Sequence, residues 1–134
     1  MAVANLDEHK ERAHISSSQG PTRDNRFKPE VAAPGTDIVA AKGFSSSDDP
    51  WVAMTGTSMA SPYVAGVAGL MLAANAKLTA AQILGIMQRT SRPLAGGSFT
   101  WANDTGYGMI DAEACLREAL AVQSRVDLNP RGKL

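Results

Sequence analysis

The residues with the clearest chemical potential stand together at Gly56-Thr57-Ser58-Met59-Ala60-Ser61-Pro62, where a hydroxyl pair follows a glycine and heads a long apolar run. A serine in that place has two uses. It can cap a helix, its oxygen accepting a backbone N–H two or three residues on. It can also be a nucleophile, which at neutral pH needs a base to take its proton. A helix beginning there sets unpaired N–H groups and a partial positive charge beside Ser58, which favours an oxyanion. Gly56 lets backbone or substrate approach closely. These residues alone leave both uses open.

The elements that must position Ser58 follow from the flanking pattern. Ala2 to Leu6 reads as a short strand, and Asp7 to Pro34 as polar and loop-like. Asp37 to Ala41 is a second apolar run, entered through the Pro34-Gly35 turn signal, and Lys42 to Pro50 an exposed loop. Trp51 to Thr55 is a third strand candidate. A helix is expected from Ser58 or Met59 to Ala74, with Pro62 tolerated in its first turn and Asn75 as a left-handed stop. A second helix follows Thr79, whose pairing with Gln82 makes a capping box, with Ile83, Leu84, Ile86 and Met87 on its apolar face. Ser91 to Gly106 forms a loop around Gly96-Gly97. Asp111 caps a third helix over Ala112 to Ala121, and the tail from Gln123 to Leu134 is polar and expected to fray.

The first helix has no charged or amide side chain between Tyr63 and Ala74. A helix apolar all round is expected to be buried all round. Three short strands and two amphipathic helices are a thin wrapping for it. The expectation is therefore that this chain is the C-terminal part of a larger α/β domain.

Charge and composition narrow the partners. Basic and acidic residues balance at 13 each over 134 residues, so nucleic acid and anionic membrane are not expected as partners. The longest apolar run, Val64 to Ala74, is about half of the roughly 20 residues that cross a bilayer. The first twelve residues lack the order of a secretory signal. Cys115 is the only cysteine, and with two distant histidines it makes no zinc pattern. It is expected on the core face of the third helix, with Trp51, Trp101 and Tyr107 as packing residues.

Gly56 to Pro62, followed by Val64-Ala65-Gly66, resembles the nucleophile motif of the subtilisin-like serine proteases. Lys28-Pro29-Glu30-Val31-Ala32-Ala33-Pro34-Gly35 is similar to the segment that precedes the nucleophile in that family. Gly106-Tyr107-Gly108-Met109-Ile110-Asp111-Ala112 resembles the one that introduces its last helix, and Ala2 to Ser18 is similar to an earlier stretch. The resemblance runs from residue 2 to about 121. It implies residues 1–121 as the C-terminal segment of the peptidase domain and 122–134 as a tail. The implied fold is a three-layer parallel-sheet α/β sandwich, incomplete here.

The resemblance also implies roles. Ser58 is the expected nucleophile, forming an acyl-enzyme, with its own N–H as an oxyanion donor and Thr57 in support. Gly56, Met59, Ala60 and Pro62 shape the motif. The family's Asp and His precede its Ser along the chain, so both, with the oxyanion asparagine, are expected before residue 1. In subtilases loss of the histidine alone costs about a millionfold in turnover. The isolated chain is expected to be inactive. His9 and His14 read as solvated surface residues, and Asp37, Asp48, Asp49 and Asp104 as loop carboxylates. No organic cofactor is implied. Structural calcium is common in the family, but no ligand is assignable here. The expected partners are a polypeptide substrate and the Asp- and His-bearing part of the same domain. The family is mostly secreted, which implies an extracytoplasmic location. Two other readings compete: a non-catalytic scaffold or docking module derived from a protease, and a small helical domain whose Ser58 is only a cap.

Overall fold

A computed structural model describes residues 1–44, 48–94 and 96–128; the remaining loop residues at 45–47 and 95, and the end of the tail, lie outside the described residues. The elements are β1 (Val3–Leu6), β2 (Val31–Pro34), β3 (Ile38–Ala41), β4 (Trp51–Met54), α1 (Thr57–Ala74), α2 (Ala80–Thr90) and α3 (Ala112–Leu128). β1 and β2 pair in parallel, with Val3 opposite Val31 and Leu6 opposite Pro34. A bridge at Met109 runs parallel beside Ala32, and Arg92 bridges antiparallel to Met109. With Ala13 bridged antiparallel to Leu6 on the far edge of β1, the small sheet has five chain segments among the described residues, though only two are named strands.

Side-chain alternation divides that sheet between two faces. Val31 and Ala33 join a core with Ala60, Val64, Val67 and Met71 of α1, Ile86 and Met87 of α2, and Cys115 and Ala119 of α3. Ala4, Leu6 and Ala32 turn the other way, against Leu94 and Met109. Covering both faces is what a parallel pair requires. All three helices contribute to the first face, and irregular chain covers the second. Among the described residues there is no helical layer on that second face.

β2 lies within the stretch expected to be loop. Val31-Ala32-Ala33-Pro34 gives no polar–apolar alternation to read, and the strand exists through its pairing with β1 and its bridge to Met109. β3 and β4 pair antiparallel, with Val39 opposite Ala53 and Ala41 opposite Trp51. They form a separate two-stranded sheet. Trp51, expected to pack, is 59% exposed on that ribbon.

The helices depart from expectation in four details. α1 begins at Thr57, so Pro62 lies beyond the first turn and removes the N–H that would reach the Ser58 carbonyl. Asn75 ends α1 in an extended rather than left-handed conformation, because its amide is fixed elsewhere. Its Nδ2 donates to the Ala119 carbonyl at 3.2 Å, and its Oδ1 accepts from Lys77 N–H at 3.1 Å. α3 continues past Ala121 to Leu128, into the segment expected as a frayed tail. Finally, α1 is buried on one side only, through Ala60, Val64, Val67 and Met71. Tyr63, Leu70 and Leu72 on its outer side are exposed.

The expected strands at β1, β3 and β4 are present, as are the capping box at Thr79 and the Asp111 cap of α3. By length and composition the 18 residues of α1 also meet the measure of a membrane-crossing helix. The uninterrupted apolar run within it begins only at Val64. The core helix of a soluble domain passes the same test, and α1 packs on β1, β2 and α3.

Candidate active site

β4 delivers the chain to Gly56, whose N–H donates to the Gly35 carbonyl at 2.9 Å. Gly56 is the N-cap of α1, with no side-chain cap. Its carbonyl accepts from Met59 and Ala60 N–H at 3.0 and 3.3 Å. Thr57 and Ser58 therefore occupy the first two helical positions, where N–H groups have no intrahelical acceptor. Ser58 is exposed and is not the cap. Among the described residues nothing hydrogen-bonds its hydroxyl. The reading of Ser58 as a helix cap fails on this geometry.

The close approach occurs at Gly35 rather than Gly56. A Cβ on Gly35 would lie 2.7 Å from the Gly56 carbonyl oxygen, 2.8 Å from Ala60 N and 2.5 Å from Asn5 Oδ1. A Cβ on Gly56 would meet nothing closer than 3.9 Å. Asn5 is fully buried and held in turn, its Nδ2 donating to Thr36 Oγ1 at 3.3 Å and its N–H to Ser17 Oγ at 3.1 Å. The Pro34-Gly35 turn is thus packed directly against the start of α1.

Ser58 opens into a cleft of about 650 Å³. Thr57, Ser61 and Pro62 line one side with it, and Val3, Gln19 and Lys28 are among the residues opposite. Lys28 pairs with Glu30, which is nearly buried and also accepts the Ala2 N–H at 2.6 Å. Burial pushes the Glu30 carboxyl up, but the Lys28 ammonium and the Ala2 N–H outweigh it and hold it below its usual value. The last of the three segments runs alongside. Tyr107 N–H donates to the Glu30 carbonyl at 2.9 Å, and Ala32 exchanges bonds with Gly108 and Ile110 at 2.8 and 2.9 Å. A Cβ on Gly106 would stand 2.4 Å from the Glu30 carbonyl. The Gly106 to Ala112 segment therefore packs along β2, and the turn that ends β2 packs on the head of α1.

Neither histidine lines this cleft. His9 is exposed beside Glu8, and His14 Nδ1 lies 2.8 Å from Ser16 Oγ. Asp37 takes part in the turn before β3, its Oδ1 accepting from Thr55 Oγ1 at 3.3 Å. Asp49 receives the Trp51 N–H at 3.2 Å. Asp104 follows Ser58 in the chain and lines a different cavity, with Glu11 and Arg12. Cys115 is buried with its Sγ 3.1 Å from Thr90 Oγ1, and burial raises its thiol. Among the described residues no cluster of three metal-ligating side chains occurs. The sequence reading missed Lys28 and Ser61 as cleft residues. Their motifs were visible, but the fold that brings them face to face was not.

The subtilase family model (Peptidase_S8) matches residues 1–108. The chain belongs to the subtilase family. Bacillopeptidase F of Bacillus subtilis is 38% identical over 92 residues, covering 69% of this chain and 6% of that protein. The halolysin-like extracellular serine protease Nep of Natrialba magadii is 35% identical over 113 residues, covering 84% of this chain and 18% of that protein. Fervidolysin from Fervidobacterium pennivorans, a keratinolytic enzyme related to subtilisin, superposes with a TM-score of 0.67 at 27% identity, over 86% of this chain and 18% of that one. The fold is accordingly a partial α/β subtilisin fold, and the family is one of serine proteases. This subtilase chain spans less than a quarter of the length of these curated relatives and of the serine protease AprX of Bacillus subtilis.

Proposed function

We propose that Ser58 is the nucleophile of a serine endopeptidase whose active site is completed by residues outside this chain. The observation that carries this reading is the helix start: Gly56 caps α1, leaving the Ser58 hydroxyl exposed in a cleft and unengaged. In the reaction the Ser58 hydroxyl loses its proton to a histidine and its oxygen attacks the scissile carbonyl. The leaving amine takes that proton, and water then releases the acyl group from Ser58. The Ser58 N–H, free of intrahelical partners, is placed to receive the developing oxyanion, with the Thr57 hydroxyl in support.

The partner that brings Asp, His and the oxyanion amide is the remaining part of a subtilisin-like domain. The uncovered outer face of α1 fits such a partner, since Tyr63, Leu70 and Leu72 are apolar and exposed. Polypeptide is the substrate class. The domain segment is read as residues 1–121, followed by a tail at 122–134.

The test is labelling with a fluorophosphonate. The 134-residue chain alone is expected to stay unlabelled, because Ser58 has no base in its cleft. Joined to the Asp- and His-bearing part, it is expected to label at Ser58 and to lose labelling in Ser58→Ala. A joined protein that folds and takes up no label at Ser58 would overturn the reading.

A further inference from the structure

The Ser58 cleft has one cationic side chain in its lining and no carboxylate. Lys28 supplies the ammonium, and hydroxyls and an amide from Ser18, Gln19, Thr22 and Ser61 make up most of the remaining polar side chains. Lys28 is paired with Glu30, so charge alone does not decide the cleft's preference. The placement of the pair does. The Lys28 side chain is 28% exposed and Glu30 only 6%, and Glu30 is not among the residues lining the cleft. The pair is a dipole with its positive end toward the cleft. An ammonium carries three donors; one faces Glu30, leaving others for a ligand.

The backbone that carries Lys28 is tightly held. Trp101 Nε1 donates to the Pro29 carbonyl at 2.8 Å, and the Phe27 ring packs on Trp101 at 4.8 Å between centroids. Gly20 sits so near that a Cβ there would overlap the Lys28 carbonyl oxygen at 1.7 Å. Gly20 N–H in turn donates to the Asn103 carbonyl at 2.7 Å. The ammonium is therefore tethered at both ends, through its backbone and through Glu30. A held donor loses less freedom on binding than a free surface lysine.

We propose that Lys28 makes this cleft select a carboxylate in the polypeptide that occupies it. The carboxylate comes either from an Asp or Glu side chain or from a free C-terminus. The proposal rests on reading the cleft as the substrate site, and it names a specificity residue for that site. Lys28 does no chemistry at Ser58; it positions substrate.

The test uses the 134-residue chain, N-terminally acetylated because Met1 shares the cleft and its ammonium would add to the signal. Four peptides of one sequence are titrated, carrying central Glu or central Gln, each with a free or amidated C-terminus. Binding is followed through the amide resonances of Thr57, Ser58 and Ser61. A carboxylate-bearing peptide is expected to bind about fivefold more tightly than its neutral counterpart, in the range of a partly exposed charge pair. Which peptide shows the preference identifies the source of the carboxylate. Lys28→Gln should abolish the preference, Lys28→Arg should retain it, and Glu30→Gln should enlarge it by removing the opposing charge. The preference should shrink as salt rises.

Equal affinity for all four peptides, or a preference that survives Lys28→Gln in a folded chain, overturns the proposal. Absence of binding by every peptide overturns it together with the cleft's role. A retained carboxylate preference in a joined protein that takes no fluorophosphonate would instead overturn only the assignment of Ser58 as nucleophile.

Discussion

Two helix starts in this molecule use the same hydroxyl chemistry for opposite ends. At α2, Thr79 is the N-cap, its oxygen accepting Gln82 N–H at 3.3 Å while Gln82 Oε1 accepts Thr79 N–H at 2.8 Å. The two residues satisfy each other's free backbone N–H groups at the helix start. At α1 a glycine takes the cap position, and the hydroxyls of Thr57 and Ser58 follow it, already inside the helix. With glycine in the cap position, α1 forgoes only a few tenths of a kcal/mol, roughly, relative to a side-chain cap. In return its first turn presents a free serine oxygen and unpaired N–H groups on one surface. The difference teaches that a helix-start serine is judged by its position relative to the cap, not by its residue type.

The comparison is broken or sharpened most strongly by Ser58→Ala. In a complete domain, activity is expected to fall about a millionfold, the scale measured for removing a catalytic triad member in subtilisin itself. The same change in the 134-residue chain is expected to move unfolding free energy by less than about 0.5 kcal/mol, as for a surface substitution. A loss near 1 kcal/mol in denaturant unfolding would return Ser58 to the role of a cap. Gly35→Ala comes next. Its Cβ would press on backbone atoms of Gly56 and Ala60 at 2.7 and 2.8 Å, so the turn and the head of α1 must separate. Destabilisation of about 3 kcal/mol is expected, the upper range for overpacking. An unchanged melting temperature would show that the contact relaxes freely.

The two sides of α1 extend the same contrast. Met71 is fully buried, whereas Leu70 is 53% exposed. Met71→Ala should cost about 2–5 kcal/mol, and Leu70→Ala a few tenths at most, by the cavity argument. Equal effects in thermal unfolding would mean that the outer side is covered in solution. At α2, Thr79→Ala should cost about 1 kcal/mol and leave Ser58 chemistry untouched.

How much of this was legible depends on where the information resides. The capping box at Thr79, the Asp111 cap and the strands at β1, β3 and β4 are local, and local pattern was enough. The Gly56 to Pro62 segment was legible as a motif, and Ser58 stood out within it. β2 was not legible, because Val31 to Pro34 becomes a strand only through pairing with β1 and bridging to Met109. The outer side of α1 misled for a related reason. Periodicity reports what residues prefer, and Tyr63 and Leu70 prefer burial, but among the described residues both stay exposed. Gly35 and Lys28 carried no local signal of their roles, since both act through segments distant in sequence.

The smallest expected effect concerns pH, and it isolates the pair behind the cleft. Burial would raise the Glu30 carboxyl, yet Lys28 and the Ala2 N–H together hold it below its usual value. Its folded value thus lies below its unfolded one, near 4.3 for a model glutamate. Its contribution is fully present above that unfolded value and is lost as pH falls through the folded value. Urea unfolding of the chain should therefore weaken as pH drops below about 5, toward the folded value. Glu30→Gln should flatten part of that slope. Asp7 and Asp24, also held low, keep the rest. If the slope is unchanged in Glu30→Gln, the Lys28–Glu30 pair is not formed in solution, and Lys28 is then free to swing out of the cleft that contains Ser58.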